Sequence, residues 1–196
     1  MRLTYRFFRA VARLVCWLWA PMEIYHADRL PTAGPTILIA NHRSLLDGFL
    51  LVAFSDRPVT FVAAAYLFRI PFVGWVVRQV AVPTGSVPGM RQTLSHLEGG
   101  GLVALFPEGG VRTTASLEGL GDSAAYLASK TGAVVVPLAI AGAADVLPLG
   151  RYRPRRRKVK LRFGEARTLP QGLKRPALLA ATTEWMAEVY AAEAIL

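Results

Sequence analysis

The sequence predicts a three-layer α/β domain built around a largely parallel or mixed sheet. Short apolar runs rich in β-branched residues alternate with amphipathic stretches of helical periodicity, which is the pattern of strands covered by helices. Gly and Pro clusters punctuate the junctions, and 196 residues suit one well-packed core better than two. An amphipathic membrane-interface helix is expected to precede the domain, dividing the chain into residues 1–22 and 23–196.

That opening helix is read from Arg2, Arg6, Arg9 and Arg13, whose spacing of four, three and four places them in one stripe. Leu3, Phe7, Phe8, Val11, Leu14, Val15, Leu18 and Trp19 fill much of the remaining surface. The uninterrupted apolar run, residues 14–22, contains Pro21 and is too short to span a bilayer, which needs about 20 apolar residues. A helix lying in the interface is the better reading. A cleaved signal peptide is not expected, because arginines penetrate the apolar stretch and no small-residue cleavage site follows it.

After the turn-forming residues 30–35, the run 36–40 reads as a buried strand with Asn41 and His42 at its end. Ser44 is placed to cap a helix over 45–54, with Asp47 in its first turn, where the helix dipole favours an acid. Strands are expected at 59–63 and 77–82, a helix at 88–98 closed by three glycines, and a strand at 102–106 running into Pro107, Glu108, Gly109 and Gly110. A helix over 120–130 leads to a strand over 133–140, where Pro137 implies a bulge or an edge. A strand at 159–163 and a helix from about 175 to 192 complete the domain.

Composition narrows the partners. A hydrophobic fraction of 53% with 18% charged residues excludes a disordered chain and implies some surface facing lipid. The formal charge of +10, mostly arginine, calls for an anionic partner. A nucleic acid is disfavoured: the basic run 151–160, read as an exposed hairpin or loop, has only Tyr152 in place of an interleaved stacking platform. An anionic membrane surface explains it with fewer assumptions. The single cysteine, Cys16, forms no intrachain disulfide, sits without a neighbouring His, and reads as a small buried hydrophobe on a cytoplasmic-side protein. His26 and His96 lack any partner pattern and read as surface or packing residues.

His42 and Asp47 are separated by a short turn, so an imidazole at a strand end and a carboxylate on the following helix can face each other. In that arrangement the acid fixes the tautomer and the free ring nitrogen acts as a base. The stretch Asn41-His42-Arg43-Ser44-Leu45-Leu46-Asp47 resembles the His-four-residues-Asp signature of the glycerolipid acyltransferases, of the lysophosphatidic acid acyltransferase type, and Phe106-Pro107-Glu108-Gly109 resembles their second hallmark. Residues 69–75, 136–140 and 158–165 extend the similarity over most of the chain.

The resemblance implies direct transfer of a fatty acyl group from acyl-CoA or acyl-carrier protein to a lysophospholipid hydroxyl, with His42 and Asp47 catalytic. No metal or other cofactor is implied. The default acceptor is 1-acyl-glycerol-3-phosphate, with another lysolipid or an aminolipid as the alternative. Substrate-binding candidates are Asn41, Ser44, Phe106, Pro107, Glu108, Gly109, Gly110 and Arg112. Amides of the 107–110 turn suit a phosphate or an oxyanion. Two departures stand out. Val111 separates Arg112 from the turn by one residue more than relatives commonly show, and Gly85 and Ser86 occupy the region where many carry an arginine. Arg69, Arg78 and Arg91 are possible substitutes.

Overall fold

The computed structural model describes residues 3–69, 71, 73–151 and 153–196. Arg2 of the arginine stripe, Ile70 and Phe72 of the 69–75 stretch, and Tyr152 of the basic run lie outside them. In chain order the elements are α1 (Leu3–Trp19), β1 (Met22–Tyr25), β2 (Thr36–Ala40), α2 (Asp47–Phe54), β3 (Val59–Ala63), α3 (Val73–Val80), β4 (Ala81–Pro83), α4 (Val87–Glu98), β5 (Leu102–Leu105), α5 (Ser123–Thr131), β6 (Val134–Ala141), α6 (Ala143–Val146), β7 (Val159–Phe163) and α7 (Arg175–Ala194).

Among the described residues these strands form one mixed sheet in the order β1-β7-β6-β2-β5-β3-β4, parallel except where β7 meets β6. The central strands are apolar on both faces because both are covered. Leu38 and Ala40 of β2, Ala104 of β5 and Val136, Leu138 and Ile140 of β6 pack with α1 and α2. Ile37 and Ile39, Val103 and Leu105, and Val135 and Ala139 pack on the other side with α4, α5 and α7. The alternation of period two thus divides the core between two helical layers, and the three-layer expectation holds.

Three local readings are corrected. Residues 77–82 are not a strand: α3 runs to Val80 and only Ala81–Pro83 pairs with β3. The helix read over 45–54 begins at Asp47 with Leu46 as its N-cap, while Ser44 closes the turn before it: its hydroxyl accepts the N–H of Leu46 at 3.2 Å and donates to Leu147 O at 2.8 Å. Pro137 lies in a central strand, between β7 and β2, rather than at an edge. The irregularity falls on the partner segment. Leu138 pairs with Phe163 but Val135 with Arg167, so one extra residue bulges opposite Pro137, which has no N–H to offer there.

Helix α1 buries Tyr5, Ala12 and Cys16 against the domain. Burial pushes the Cys16 thiol up to about 11, in keeping with a packing role. The side chains of Leu3, Phe7, Leu14, Trp17 and Leu18 are exposed, and at 3.6 residues per turn they share one arc of roughly 100° facing away from the core. Arg9 and Arg13 both pair with Asp56, and Arg13 Nε donates to Ala53 O at 3.0 Å, so these two arginines fasten the helix to α2 and its following turn. Among the described residues no helix is long and apolar enough to cross a membrane.

At the N-terminal end of the central strands, Arg57 gathers the loops that feed β2 and β5. Its guanidinium donates to Pro31 O at 2.7 Å, Thr36 Oγ1 at 2.9 Å, Gly34 O at 2.6 Å and Gly100 O at 2.9 Å. Replacing it leaves several half-buried carbonyls without a donor. Arg57→Ala is expected to lose about 2 kcal/mol, read as a lower urea midpoint at unchanged m-value; a midpoint equal to wild type would show that water serves these carbonyls equally well.

Candidate active site

Strands β2 and β5 are parallel neighbours with Ile39 opposite Leu105. His42 follows Ile39 by three residues and Glu108 follows Leu105 by three, so the register alone delivers both to the same height beyond the strand ends. That is where open α/β sheets place their ligands.

His42 Nδ1 lies 2.8 Å from Asp47 Oδ2. The same oxygen accepts the backbone N–H of Arg43 at 2.8 Å and of Ser44 at 2.9 Å. An ionised carboxylate only accepts, so Nδ1 carries the ring proton and Nε2 keeps its lone pair. Asp47 is fully buried at the first residue of α2. Its second oxygen, Oδ1, is buried without a partner among the described residues. The Phe106 ring stacks on the imidazole, centroids 4.2 Å apart and planes 18° from parallel, which restrains the ring to one orientation.

Glu108 has a clear physical role. Its side chain is fully buried and accepts three donors: His42 N–H at 2.9 Å on Oε2, and Arg43 Nη1 at 2.9 Å and the Tyr190 hydroxyl at 2.7 Å on Oε1. Arg43 in turn lays Nε and Nη2 on Glu193, at 2.7 and 2.8 Å, with its guanidinium 5.3 Å from the Tyr190 ring centroid. Burial disfavours the charge on Arg43, but the two carboxylates outweigh it and raise its pKa above the ordinary guanidinium value. Burial and the bond to Glu108 push the Tyr190 phenol up to about 12, so it stays a donor at any working pH.

The other candidates fall into distinct places. Asn41 clamps β2 to β6, donating to Ile140 O and accepting from Ile140 N, both at 2.8 Å. Arg112 reaches Glu118 O at 2.8 Å, Glu108 O at 3.0 Å and Gly119 O at 3.2 Å, closing the loop that follows the turn, and its N–H donates to His42 O at 2.9 Å. Gly109 takes a positive φ of 72° and donates its N–H to Phe106 O at 3.0 Å, which closes the tight turn. Ser86, in the region where an arginine is often found, caps α4 by accepting from Gly89 N at 3.2 Å. Arg43, Tyr190 and Glu193 escaped the sequence reading. Tyr190 and Glu193 have no local motif, although they lie one turn beyond the buried face of α7, formed by Leu178, Thr182, Trp185, Met186 and Val189.

A cavity of about 450 Å³ opens beside His42. Phe106, Pro107, Gly109, Gly110 and Val111 form one wall, Leu45, Phe49 and Val52 another, and Phe8 and Ala12 of α1 close part of it. Among the described residues lining it there is no Lys, Arg, Asp or Glu. A second, smaller cavity of about 290 Å³ adjoins it at Val62, Thr84, Leu105 and Ser123, and it is equally free of formal charge among the described residues. No group of His, Cys, Asp and Glu suited to a metal ion occurs among the described residues.

A strand-end imidazole held by a buried acid above an apolar cavity can take a proton from a hydroxyl presented from that cavity. The family model described as Acyltransferase matches residues 21–141, more than half of the chain, and the chain belongs to that family. It is 27% identical over 158 residues to a chloroplastic 1-acyl-sn-glycerol-3-phosphate acyltransferase of Arabidopsis thaliana, covering 72% of this chain and 44% of that protein. A protein of the same description from Brassica napus is 27% identical over 161 residues, 74% of this chain and 46% of the relative. The chain therefore spans less than half the length of these curated relatives. The crystal structure of the 1-acyl-sn-glycerophosphate acyltransferase of Thermotoga maritima superposes with a TM-score of 0.75 at 26% identity, covering 95% of this chain and 80% of that one.

Because Glu108 is buried under three donors, replacing it with an amide sets an N–H₂ group against at least one of them. Glu108→Gln is expected to cost about 3 kcal/mol of folding stability by urea denaturation. A loss below about 1 kcal/mol would show that the donors find other acceptors.

Proposed function

We propose that this protein transfers a fatty acyl group from acyl-CoA or acyl-carrier protein to the hydroxyl of a lysophospholipid at a membrane surface. The observation that carries the reading is the His42–Asp47 pair, Nδ1 to Oδ2 at 2.8 Å, at the edge of an apolar cavity. His42 Nε2 takes the acceptor O–H proton while the oxygen attacks the thioester carbonyl carbon. The tetrahedral intermediate then expels the thiolate, which receives that proton from the imidazolium as the C–S bond breaks. Asp47 holds the tautomer and stabilises the imidazolium. Amides of the turn, with Gly110 and Val111 on the cavity wall, are the candidates for the developing oxyanion.

The default acceptor is 1-acyl-glycerol-3-phosphate, the substrate for which the plant relatives are named. Selectivity for its phosphate is proposed to be weak. Arg112 is engaged with carbonyls, Arg78 donates to Phe68 O at 2.7 Å, and Arg69 and Arg91 are exposed outside the cavity wall. Lysolipids with zwitterionic heads, or aminolipids, are thus accepted alternatives.

Membrane contact is proposed through the exposed apolar arc of α1, with the basic segment 151–158 beside it. Arg157 N–H donates to Trp19 O at 2.9 Å and Val159 N–H to Pro21 O at 3.0 Å, which fixes that segment to the end of α1. Arg151, Arg153, Arg155, Arg156 and Arg157 are exposed there. Since Arg9 and Arg13 are paired with Asp56, the exposed Arg6 of α1 and this segment supply the cations for anionic headgroups. Attachment is peripheral, on the cytoplasmic face.

His42→Ala is expected to lower turnover by about 10² to 10⁴ with the fold intact, and Asp47→Asn to fall nearly as far. Near-wild-type thioester consumption by folded His42→Ala protein would remove the catalytic assignment. Across lysolipid acceptors on mixed micelles, kcat/KM for the phosphate monoester is expected to exceed that for zwitterionic heads by no more than about one hundredfold, the worth of one charged hydrogen bond. A preference above a thousandfold would mean that a basic residue reaches the phosphate after all.

The membrane reading is checked by flotation on anionic vesicles with Phe7, Leu14 and Trp17 all changed to serine, substitutions that spare the buried face of α1. Binding is expected to fall at least tenfold, and equal flotation of variant and wild type would count against this face.

A further inference from the structure

Helix α7 lies beyond residues 21–141, the stretch matched by the family model, yet it completes the surroundings of His42. The two peptides that flank His42 are each held at the N–H. His42 N–H goes to Glu108 and Arg43 N–H goes to Asp47, at 2.9 and 2.8 Å. The Arg43 side chain then returns to Glu108 through Nη1 alone, because Glu193 occupies Nε and Nη2. Tyr190, three residues before Glu193 and on the same side of α7, donates to the same Glu108 oxygen at 2.7 Å.

We propose that Tyr190 and Glu193 are positioning residues of the acyl-transfer site: by dividing the donors of Arg43 and holding one oxygen of Glu108, they keep its other oxygen on the His42 amide and so keep the imidazole aligned on Asp47. The inference rests on acyl transfer being the reaction. Without Glu193, a planar guanidinium turns to meet Glu108 with two parallel donors, the preferred geometry for such a pair, and draws Oε2 from His42. Without the Tyr190 hydroxyl, Oε1 loses its shortest bond and is left to Arg43 alone, which loosens the hold of Glu108 on the His42 amide.

Neither side chain is needed to attach the helix. Leu178, Trp185, Met186 and Val189 already bury α7 in the core, and Phe at 190 would retain the ring beside Arg43. A purely structural role would therefore leave turnover and the imidazole signal unchanged in Tyr190→Phe.

The experiment uses the full chain in mixed micelles with a long-chain acyl-CoA and a lysophospholipid, together with ¹⁵N-histidine NMR of the His42 Nδ1–H. In Tyr190→Phe, kcat is expected to fall about tenfold with KM within about twofold, and the Nδ1–H resonance to be lost to solvent exchange. Glu193→Ala should do the same, with Glu193→Gln recovering part of kcat because one acceptor oxygen remains. Unchanged kcat and a retained resonance in folded Tyr190→Phe protein would overturn the proposal. If wild-type protein consumes no acyl thioester with any lysolipid, the acyl-transfer reading fails, and the resonance alone decides the positioning role. Its loss in Tyr190→Phe supports that role, and its persistence refutes it.

Discussion

A carboxylate buried beyond the reach of water must be surrounded by donors, and Glu108 imposes that condition on the rest of the site. Its three donors come from the end of β2 and from α7, while Glu108 itself follows β5. Satisfying one side chain therefore fixes three elements relative to one another. Arg43 is then a buried cation that needs more than the share of Glu108 it receives, and Glu193 supplies the remainder. The requirement propagates outward from a single charge until it reaches the partly exposed Glu193.

The two buried acids divide the work. Asp47 acts on the imidazole and on two amides of the turn, whereas Glu108 acts on the backbone of His42 and never touches the ring. One sets the chemistry of the proposed base and the other its place. Phe106 completes the restraint by stacking, so the ring has a fixed plane, a fixed height and one nitrogen committed. Preorganisation of this kind lowers a barrier only when each restraint is stiff, which is why the packing beneath α7 belongs to the site.

The local parts of this arrangement were legible in the sequence and the distant parts were not. The His42–Asp47 pair sits on one strand-turn-helix unit, and the buried strands β2, β5 and β6 read as apolar runs. Residues 77–82 misled because Val77, Val80 and Ala81 all line the cavity, a spacing of three and one that belongs to a helix, while the dense valines suggest a strand. Strand β1 was missed because its four residues are half exposed and lie just past the apolar opening segment. Tyr190 and Glu193 meet partners 82 and 150 residues away, and helical periodicity assigns a face without naming what that face will meet. The likeness in the Phe-Pro-Glu-Gly turn identified Glu108, but only the three bonds explain it.

The distribution of arginine separates the inner surface from the outer one. Arg43, Arg57 and Arg112 near the ends of the central strands are committed to carboxylates and carbonyls of this chain. The exposed arginines of the 151–158 segment face outward beside α1. The cavity between has apolar walls and no formal charge among its described residues besides the titratable His42. On the proposed reading, anionic lipid is met at the rim, where screening makes each charge worth little individually and their number matters. Within the cavity, an acceptor is then selected by the fit of its acyl chain and by the reach of its hydroxyl to His42 Nε2. Burying a phosphate dianion in a wall without cations would cost more than the apolar contacts return, so the headgroup stays at the mouth, and its identity matters less than its distance from the imidazole.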